Sequence, residues 1–529
     1  MLRKKNYRFL TPLIMALAWA NLEAQTVHPV PRLVVNVMID QLRADYMEAF
    51  STLYGNDGFN KILREGRIYA DAAYPFTNVD RASAVASVMT GTVPYDNGIV
   101  GNRWMDRKTL RPAYCVDDVS YDCWGGDTHY AATTLNVSTI TDELKVATGG
   151  RALVYSVAPE ADAAILGAGH AADAAFWIDD VTGQWSCTSY YGDYPGWALA
   201  DEEIDRLPGR IAGMTWSPIS PLVGNFNFFI SPYESKGFKH KFSDERRYRS
   251  FKSSACVNAE VNNFVRHCLN TTEVGEDVVT DFLAITYYAG TFNHQPVSEV
   301  PVELQDTYVR LDIELANLMK MLDAKVGTDN YLLVLTSTGY TDGEITDLSK
   351  FRIPTGTFSI TRASALLNMY LMAVYGAGQY VETEFGSQLF LNQKLIEDKQ
   401  LNLGDVLTRC EAFLIQMAGV RDVFTSQRLA LSSGAEGIGR LRNSFNQMRS
   451  GDIFIEVAPG WKVLNEETFE ETQVRASYLS FPICLLGNNV RPETIKTPVT
   501  VDCIAPTLAR FMRIRAPNAC SAAPLSAVR

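Results

Sequence analysis

The chain has 529 residues, 47% hydrophobic and 20% charged, an ordinary globular composition with apolar surface enough for a large core. A formal net charge of −12 argues against nucleic acid or an anionic membrane as a partner. Length alone admits two to four domains, or one elaborate α/β domain with insertions.

At the N-terminus, Arg3, Lys4, Lys5 and Arg8 precede a short apolar stretch, Phe9 to Ala20, with small residues at Ala18, Ala20 and Ala24. This is the layout of a secretory signal, too short to span a bilayer comfortably. Residues 1–24 are therefore expected to be removed, after Ala24 or Ala20. The mature protein, 25–529, is expected in the periplasm, at the cell surface or outside the cell. Cleavage after Ala24 removes four basic residues and Glu23, taking the net charge from −12 to −15. No later segment has eighteen uninterrupted apolar residues, which predicts no membrane span.

Leu33 to Ile39 (LVVNVMI) is a continuous apolar run of the kind buried on both faces of a parallel sheet, and it ends at Asp40. Similar runs follow at Ala152 to Val157, Phe282 to Tyr287, Tyr331 to Leu335, Ile453 to Val457 and Pro482 to Leu486. Helical spacing lies between them, most clearly over Val302 to Val326, where Leu311, Leu315, Leu318 and Leu322 recur every three or four residues. Strands alternating with helices predict an α/β fold, a mostly parallel sheet between helical layers. Ligands of such sheets bind beyond the carboxyl ends of the strands, so Asp40 and the stretch after Leu335 are where chemistry is expected. The segment 183–277 is rich in Trp, Tyr, Ser and Pro and holds a basic run, Lys236 to Arg249, so it reads as an inserted cap. Its basic run suits a solvated face or the docking of an acidic partner. The rings of Trp177, Trp185, Tyr190, Tyr191 and Trp197 suit either packing or a glycan or peptide ligand.

Nine cysteines run from Cys115 to Cys520. Export permits disulfides, and Cys115 with Cys123, or Cys256 with Cys268, are close enough in sequence to pair. The absence of any C-x-x-C argues against a thiolate zinc site.

Four stretches carry a family likeness: LVVNVMIDQLRADYM (Leu33 to Met47), GFNKILREG (Gly58 to Gly66), MTGTVPYDNGIVGNRWMDR (Met89 to Arg107) and AAILGAGHAADAAFWIDDVTGQW (Ala163 to Trp185). With Asp306 to Thr336 and Val501 to Met512 they resemble the alkaline phosphatase superfamily, in particular its exported, threonine-nucleophile, type I phosphodiesterase-like branch. The resemblance implies two zinc ions, about 4 Å apart, that clamp a phosphate. Three carboxylates and three histidines hold them, and a lysine and an arginine bind the phosphoryl oxygens.

Carried over position by position, this machinery is largely missing. The first metal aspartate falls on Asp40 and the phosphate-binding asparagine on Asn102, and both are present. The nucleophile falls on Arg81, and the lysine and arginine on Glu160 and Asp162. An aspartate–histidine ligand pair falls on Thr291 and Gln295, a second on Thr338 and Gly339, and the last histidine lies near Glu471 in a histidine-free stretch. Of six histidines none follows His294, so no shift of register restores the two expected there. Sliding to His294 itself puts Gly290 where its aspartate belongs. With Asp40 alone surviving, neither site reaches the three or four ligands zinc needs. The resemblance thus implies an exported pseudoenzyme with no cofactor, zinc belonging to its active relatives. Its partner is expected to be another envelope or secreted protein. The alternative is a phosphomonoesterase or phosphodiesterase with an atypical metal site. Arg81 is expected to pair with Asp40, Glu160 or Asp162. Asp40 is expected to be paired or solvated, or to hold a lone calcium or magnesium ion. Asn102 suits a tight turn, and His170, outside the metal set, reads as structural.

Overall fold

The computed structural model describes residues 29–199, 206–224, 237–342, 352–431, 437–466, 468, 469, 471–473, 479–488 and 490–525; the expected signal, 1–24, lies outside them. The strands of the central sheet are β1 (Leu33–Asp40), β2 (Arg67–Ala73), β3 (Val154–Val157), β4 (Ala174–Ile178), β5 (Trp185–Ser186), β6 (Asp281–Tyr288), β7 (Tyr331–Ser337), β8 (Phe481–Gly487), β9 (Glu493–Ile495) and β10 (Val499–Thr500). Their order is β9-β2-β8-β7-β1-β6-β3-β4-β5, with β10 also on β2. From β7 to β4 neighbouring strands are parallel, while β8 runs antiparallel to both β7 and β2. Every residue of β1 and β6 is buried, which explains why both read as unbroken apolar runs.

The helices that cover the sheet and frame its carboxyl end are α1 (Arg81–Thr90), α2 (Ala161–Ala168), α3 (Cys256–Thr271), α4 (Pro301–Lys325) and α5 (Ile504–Met512). One face of the sheet packs on α3 and α4 through Phe264, Val265, Leu311 and Leu318. The other packs on α1, α2 and α5 through Val85, Val88, Ile165 and Leu508. Asp80 caps α1: its side chain accepts the Ser83 N–H while Ser83 Oγ accepts the Asp80 N–H, two orphan donors satisfied at once.

The segment 183–277 joins the main body. β5 extends the sheet edge, and Trp185 lies against Phe264 at 4.3 Å between ring centres. Trp177 and Trp185 are buried and Tyr190, Tyr191 and Trp197 half-buried, so these rings pack rather than face solvent. Of the basic run, His240 meets Glu303 at 2.7 Å and Arg249 meets Asp180 at 3.1 Å.

A second, separate core spans Phe358 to Val463. It holds a three-stranded sheet (Gly356–Ser359, Trp461–Leu464, Glu471–Gln473) and a four-stranded one (Val381–Phe385, Gln388–Leu391, Ile453–Val457, Val420–Thr425). The run at Ile453 therefore belongs to this insertion and not to the central sheet. Polar groups join the insertion to the main body: Arg440 donates to the Tyr74 and Phe76 carbonyls, Asn443 to that of Pro75, and Ser444 to that of Thr77.

The two disulfides allowed by sequence spacing do not form; all nine cysteines are free. An extended strand, Asp117–Asp122, separates Cys115 from Cys123, and at about 3.3 Å per residue it carries them beyond the reach of a disulfide. Cys256 and Cys268 sit at opposite ends of α3, where about 1.5 Å per residue has the same effect.

Candidate functional site

The carboxyl end of β1 delivers Asp40 beneath the N-terminus of α1, whose first residue is Arg81. A cation in the first turn opposes the helix dipole, so it needs local compensation. Asp162, in the first turn of α2, supplies it: Arg81 Nε and a terminal nitrogen donate to its two oxygens at 2.8 and 3.0 Å. The other terminal nitrogen reaches Asp40 Oδ2 at 3.4 Å. Asp162 is fully buried and Asp40 nearly so, at 0% and 2% exposure, so this fork has little water to screen it. Burial would pull the guanidinium down, but Asp162, Glu160 and Asp40 outweigh it and hold Arg81 charged well above its ordinary range. Burial raises the Asp40 carboxyl, with Arg81 and the Thr338 hydroxyl opposing that shift.

The other sequence-predicted positions take separate roles. Thr338 Oγ1 donates to Asp40 Oδ1 at 2.9 Å and accepts the Gln41 N–H at 2.8 Å, so it serves as a clip between β1 and β7. Gly339 has φ +69° and turns beneath Tyr74 and Phe481, where a Cβ would lie 2.7 Å from both rings. Thr291 is buried with its hydroxyl unpartnered, and its carbonyl accepts the Tyr288 hydroxyl. Gln295 is exposed. Asn102 is tied by its backbone N–H to Asp80, while its side-chain oxygen is buried without a partner. The two ring nitrogens of His170 face acceptors away from the centre, Asp142 Oδ2 at 2.8 Å and the Leu135 carbonyl at 3.0 Å.

Glu160 does not face Arg81 directly; it pairs with Lys252 at 2.7 Å. Lys252, only 5% exposed, also bonds Asp180. Burial would lower this ammonium, yet Glu160 and Asp180 together raise it. Lys252 escaped the sequence reading because no motif marks it; the clue available was a pair of acids at 160 and 162 that needed counter-charge. A second unforeseen pair stands beside Asp40. His294 Nδ1 approaches Asp342 Oδ2 at 3.2 Å, and Gln41 Nε2 donates to the same oxygen at 2.9 Å. The hydrogen bond to Asp342 raises the His294 imidazole. Gln41, Asn293 and His294 all adopt positive φ (62°, 52° and 57°), which costs non-glycine residues energy and marks this rim as tightly constrained.

The residues at the ligand positions that the resemblance assigns do not fit a pair of zinc ions: Asp40 alone is a ligand type zinc favours, and a guanidinium is hydrogen-bonded to it. Among the described residues no three His, Cys, Asp or Glu side chains converge as a metal-binding group.

The sequence pattern of the type I phosphodiesterase / nucleotide pyrophosphatase family matches residues 34–478, and the chain belongs to that family. It is 28% identical over 507 residues to alkaline phosphatase PhoV of Synechococcus elongatus, covering 92% of this chain and 91% of that one. To alkaline phosphatase PafA of Elizabethkingia meningoseptica it is 27% identical over 523 residues, covering 94% and 95%. A crystal structure of a PafA superposes with a TM-score of 0.80 at 26% identity, over 94% of this chain and 99% of that one, so the fold is that of the alkaline phosphatases. A PafA variant of known structure carries substitutions at a threonine, an asparagine, a lysine and an arginine. Its threonine and asparagine are separated by the same interval as Arg81 and Asn102, and its lysine and arginine by the same interval as Glu160 and Asp162.

Proposed function

We propose that this protein is an exported alkaline-phosphatase-fold pseudoenzyme, a binding or assembly component of the cell envelope without two-zinc phosphotransfer. One observation carries the reading: the Arg81 guanidinium lies between Asp40 and Asp162, where the resemblance puts a nucleophile and metals. The matching intervals in the PafA variant support that correspondence. Where the resemblance puts two cations for a phosphate stand Glu160 and Asp162, and the nearby Lys252 and Arg81 are already committed to them. Within the chain, Arg81 holds two carboxylates, Thr338 holds Asp40, and Lys252 holds Glu160, so each of these charged groups is committed to another.

A phosphoric ester hydrolase with an atypical site is the second reading, favoured by likeness over nine-tenths of the chain to proteins named alkaline phosphatases. Metal analysis of the purified mature protein, with a phosphomonoester and phosphodiester panel run with and without added zinc, separates the two. The expected result is no stoichiometric zinc and no turnover sensitive to Asp40→Ala. Tightly bound zinc, or turnover abolished by that substitution, overturns the proposal.

A further inference from the structure

The resemblance places an adjacent aspartate–histidine pair at Thr338 and Gly339, the first two residues after β7. Gly339 has φ +69°, and a Cβ there would lie 2.7 Å from two carbons of the Tyr74 ring and from one of the Phe481 ring. Carbon atoms pack at about 3.5–4.0 Å, so even a methyl would overlap both rings, and an imidazole would reach further still. The position therefore lacks space as well as a ligand.

Neither ring is placed to move aside. Tyr74 and Phe481 are buried with their centres 5.5 Å apart, and Phe76 stands edge-on to Tyr74 at 5.5 Å. The Tyr74 hydroxyl donates to the Ser337 carbonyl at 2.7 Å. Ser337 Oγ accepts the Gly339 N–H at 3.0 Å and donates to the Leu42 carbonyl at 2.7 Å, so ring and turn are fastened to the same residue. Behind the ring the main chain is held too, since Arg440 donates to the Tyr74 and Phe76 carbonyls and Asn443 to that of Pro75. A close-packed interior pinned in this way gives an added side chain nowhere to go.

The alternative register meets its own obstacle. With His294 as the histidine, its aspartate falls on Gly290, where a Cβ would lie 2.5 Å from the Tyr288 hydroxyl oxygen and 2.9 Å from Gln41 Cδ. That hydroxyl is held by the Thr291 carbonyl at 2.7 Å. We infer that Tyr74 is the residue that bars a metal ion from this centre, an assignment that rests on the proposed function for where the ligands would sit. With Phe481 it fills the space of the missing histidine, so supplying ligand side chains does not by itself rebuild a zinc site.

Four substitutions supply a minimal ligand set in the full chain. Thr338 Oγ1 is 2.9 Å from Asp40 Oδ1, so Thr338→Asp sets a second carboxylate beside the first, and Gly339→His adds an imidazole, the third ligand zinc needs. Arg81→Thr with Asp162→Asn removes the guanidinium and neutralises the carboxylate it would leave unpaired. Zinc titration and zinc content per chain are then compared for this variant with and without Tyr74→Ala. The expected result is about one zinc per chain when Tyr74 is replaced, and affinity about tenfold or more weaker when it is kept. Equal affinity in the two, or no zinc in either, overturns the assignment; zinc already bound by the unaltered protein fails the proposed function instead. A second measurement needs no metal: Gly339→Ala should lower the thermal midpoint by about 2 °C or more in the parent, and by less in a Tyr74→Ala background. Equal drops in the two backgrounds overturn the assignment as well.

Discussion

Arg81→Met is the sharpest test of the charge arrangement at the centre. The substitution keeps the apolar stem and removes the guanidinium, leaving Asp162 and Asp40 in the interior without their cation. Deleting one partner of a buried ion pair typically costs about 3–5 kcal/mol. Asp162 Oδ1 keeps the Ala163 N–H, and Asp40 keeps the Thr338 hydroxyl, which places the loss near the lower end, about 3 kcal/mol. The cost must also depend on pH. Orphaned carboxyls take folded pKa values above their unfolded ones, so the folded state binds protons the unfolded state does not. Stability then falls as pH rises from the unfolded to the folded pKa, by up to about 1.4 kcal/mol per pH unit for each group. Urea denaturation of parent and variant should show the full deficit at pH 7 and a smaller one at pH 5. Adding Asp162→Asn should restore most of the loss. A variant as stable as the parent, or a deficit indifferent to pH, would refute the electrostatic account; a rise in phosphatase rate in Arg81→Thr would refute the functional one.

Lys252→Met strands Glu160 and Asp180, but both are partly exposed and can rehydrate, so the expected cost is smaller, about 1–3 kcal/mol, read as a shift in denaturation midpoint. The hydrogen bond to Asp142 raises His170, and burial opposes this without prevailing. That contribution is complete below about pH 6.5 and is lost as pH rises through the folded pKa, so stability should decline above neutrality in the parent and not in His170→Gln. Asp142 is lowered despite its burial, held down by His170 and Thr139, so its share persists above about pH 3.9 and fades as pH falls. Gly169→Ala should cost more than about 2 kcal/mol by thermal denaturation: φ is +80°, and the new methyl would lie 2.2 Å from Thr139 Oγ1.

The central strands were legible because burial on both faces leaves a continuous apolar run, as in Leu33 to Asp40 and Asp281 to Tyr288. Arg81 was legible for a different reason: its position follows from flanking motifs, and an unpartnered cation among acids has few places to go. The insertion was not. Its strands are four to six residues long where they enter the four-stranded sheet, and its helix 360–375 shows no polar side for a period to reveal. Ile453 to Val457 looked like the runs of the central sheet because five apolar-rich residues carry no address; antiparallel pairing with Val420–Thr425 is decided by contacts far along the chain. The aromatic segment 183–277 drew attention by composition, yet composition does not say whether rings face inward, and Trp185 and Phe264 do. Lys252 and the His294–Asp342 pair are tertiary in origin, joining residues distant in sequence.

The seam between insertion and main body has a structural consequence. Arg440, Asn443 and Ser444 grip the stretch 74–77 by its main-chain oxygens, which every residue type possesses. The side chains of that stretch add their own anchors, Tyr74 and Phe76 being buried and Thr77 Oγ1 meeting Ser444 Oγ at 2.9 Å, so the approach to α1 keeps its path. A scaffold fastened in this way keeps the frame around Arg81 in place through contacts that do not involve Arg81 itself.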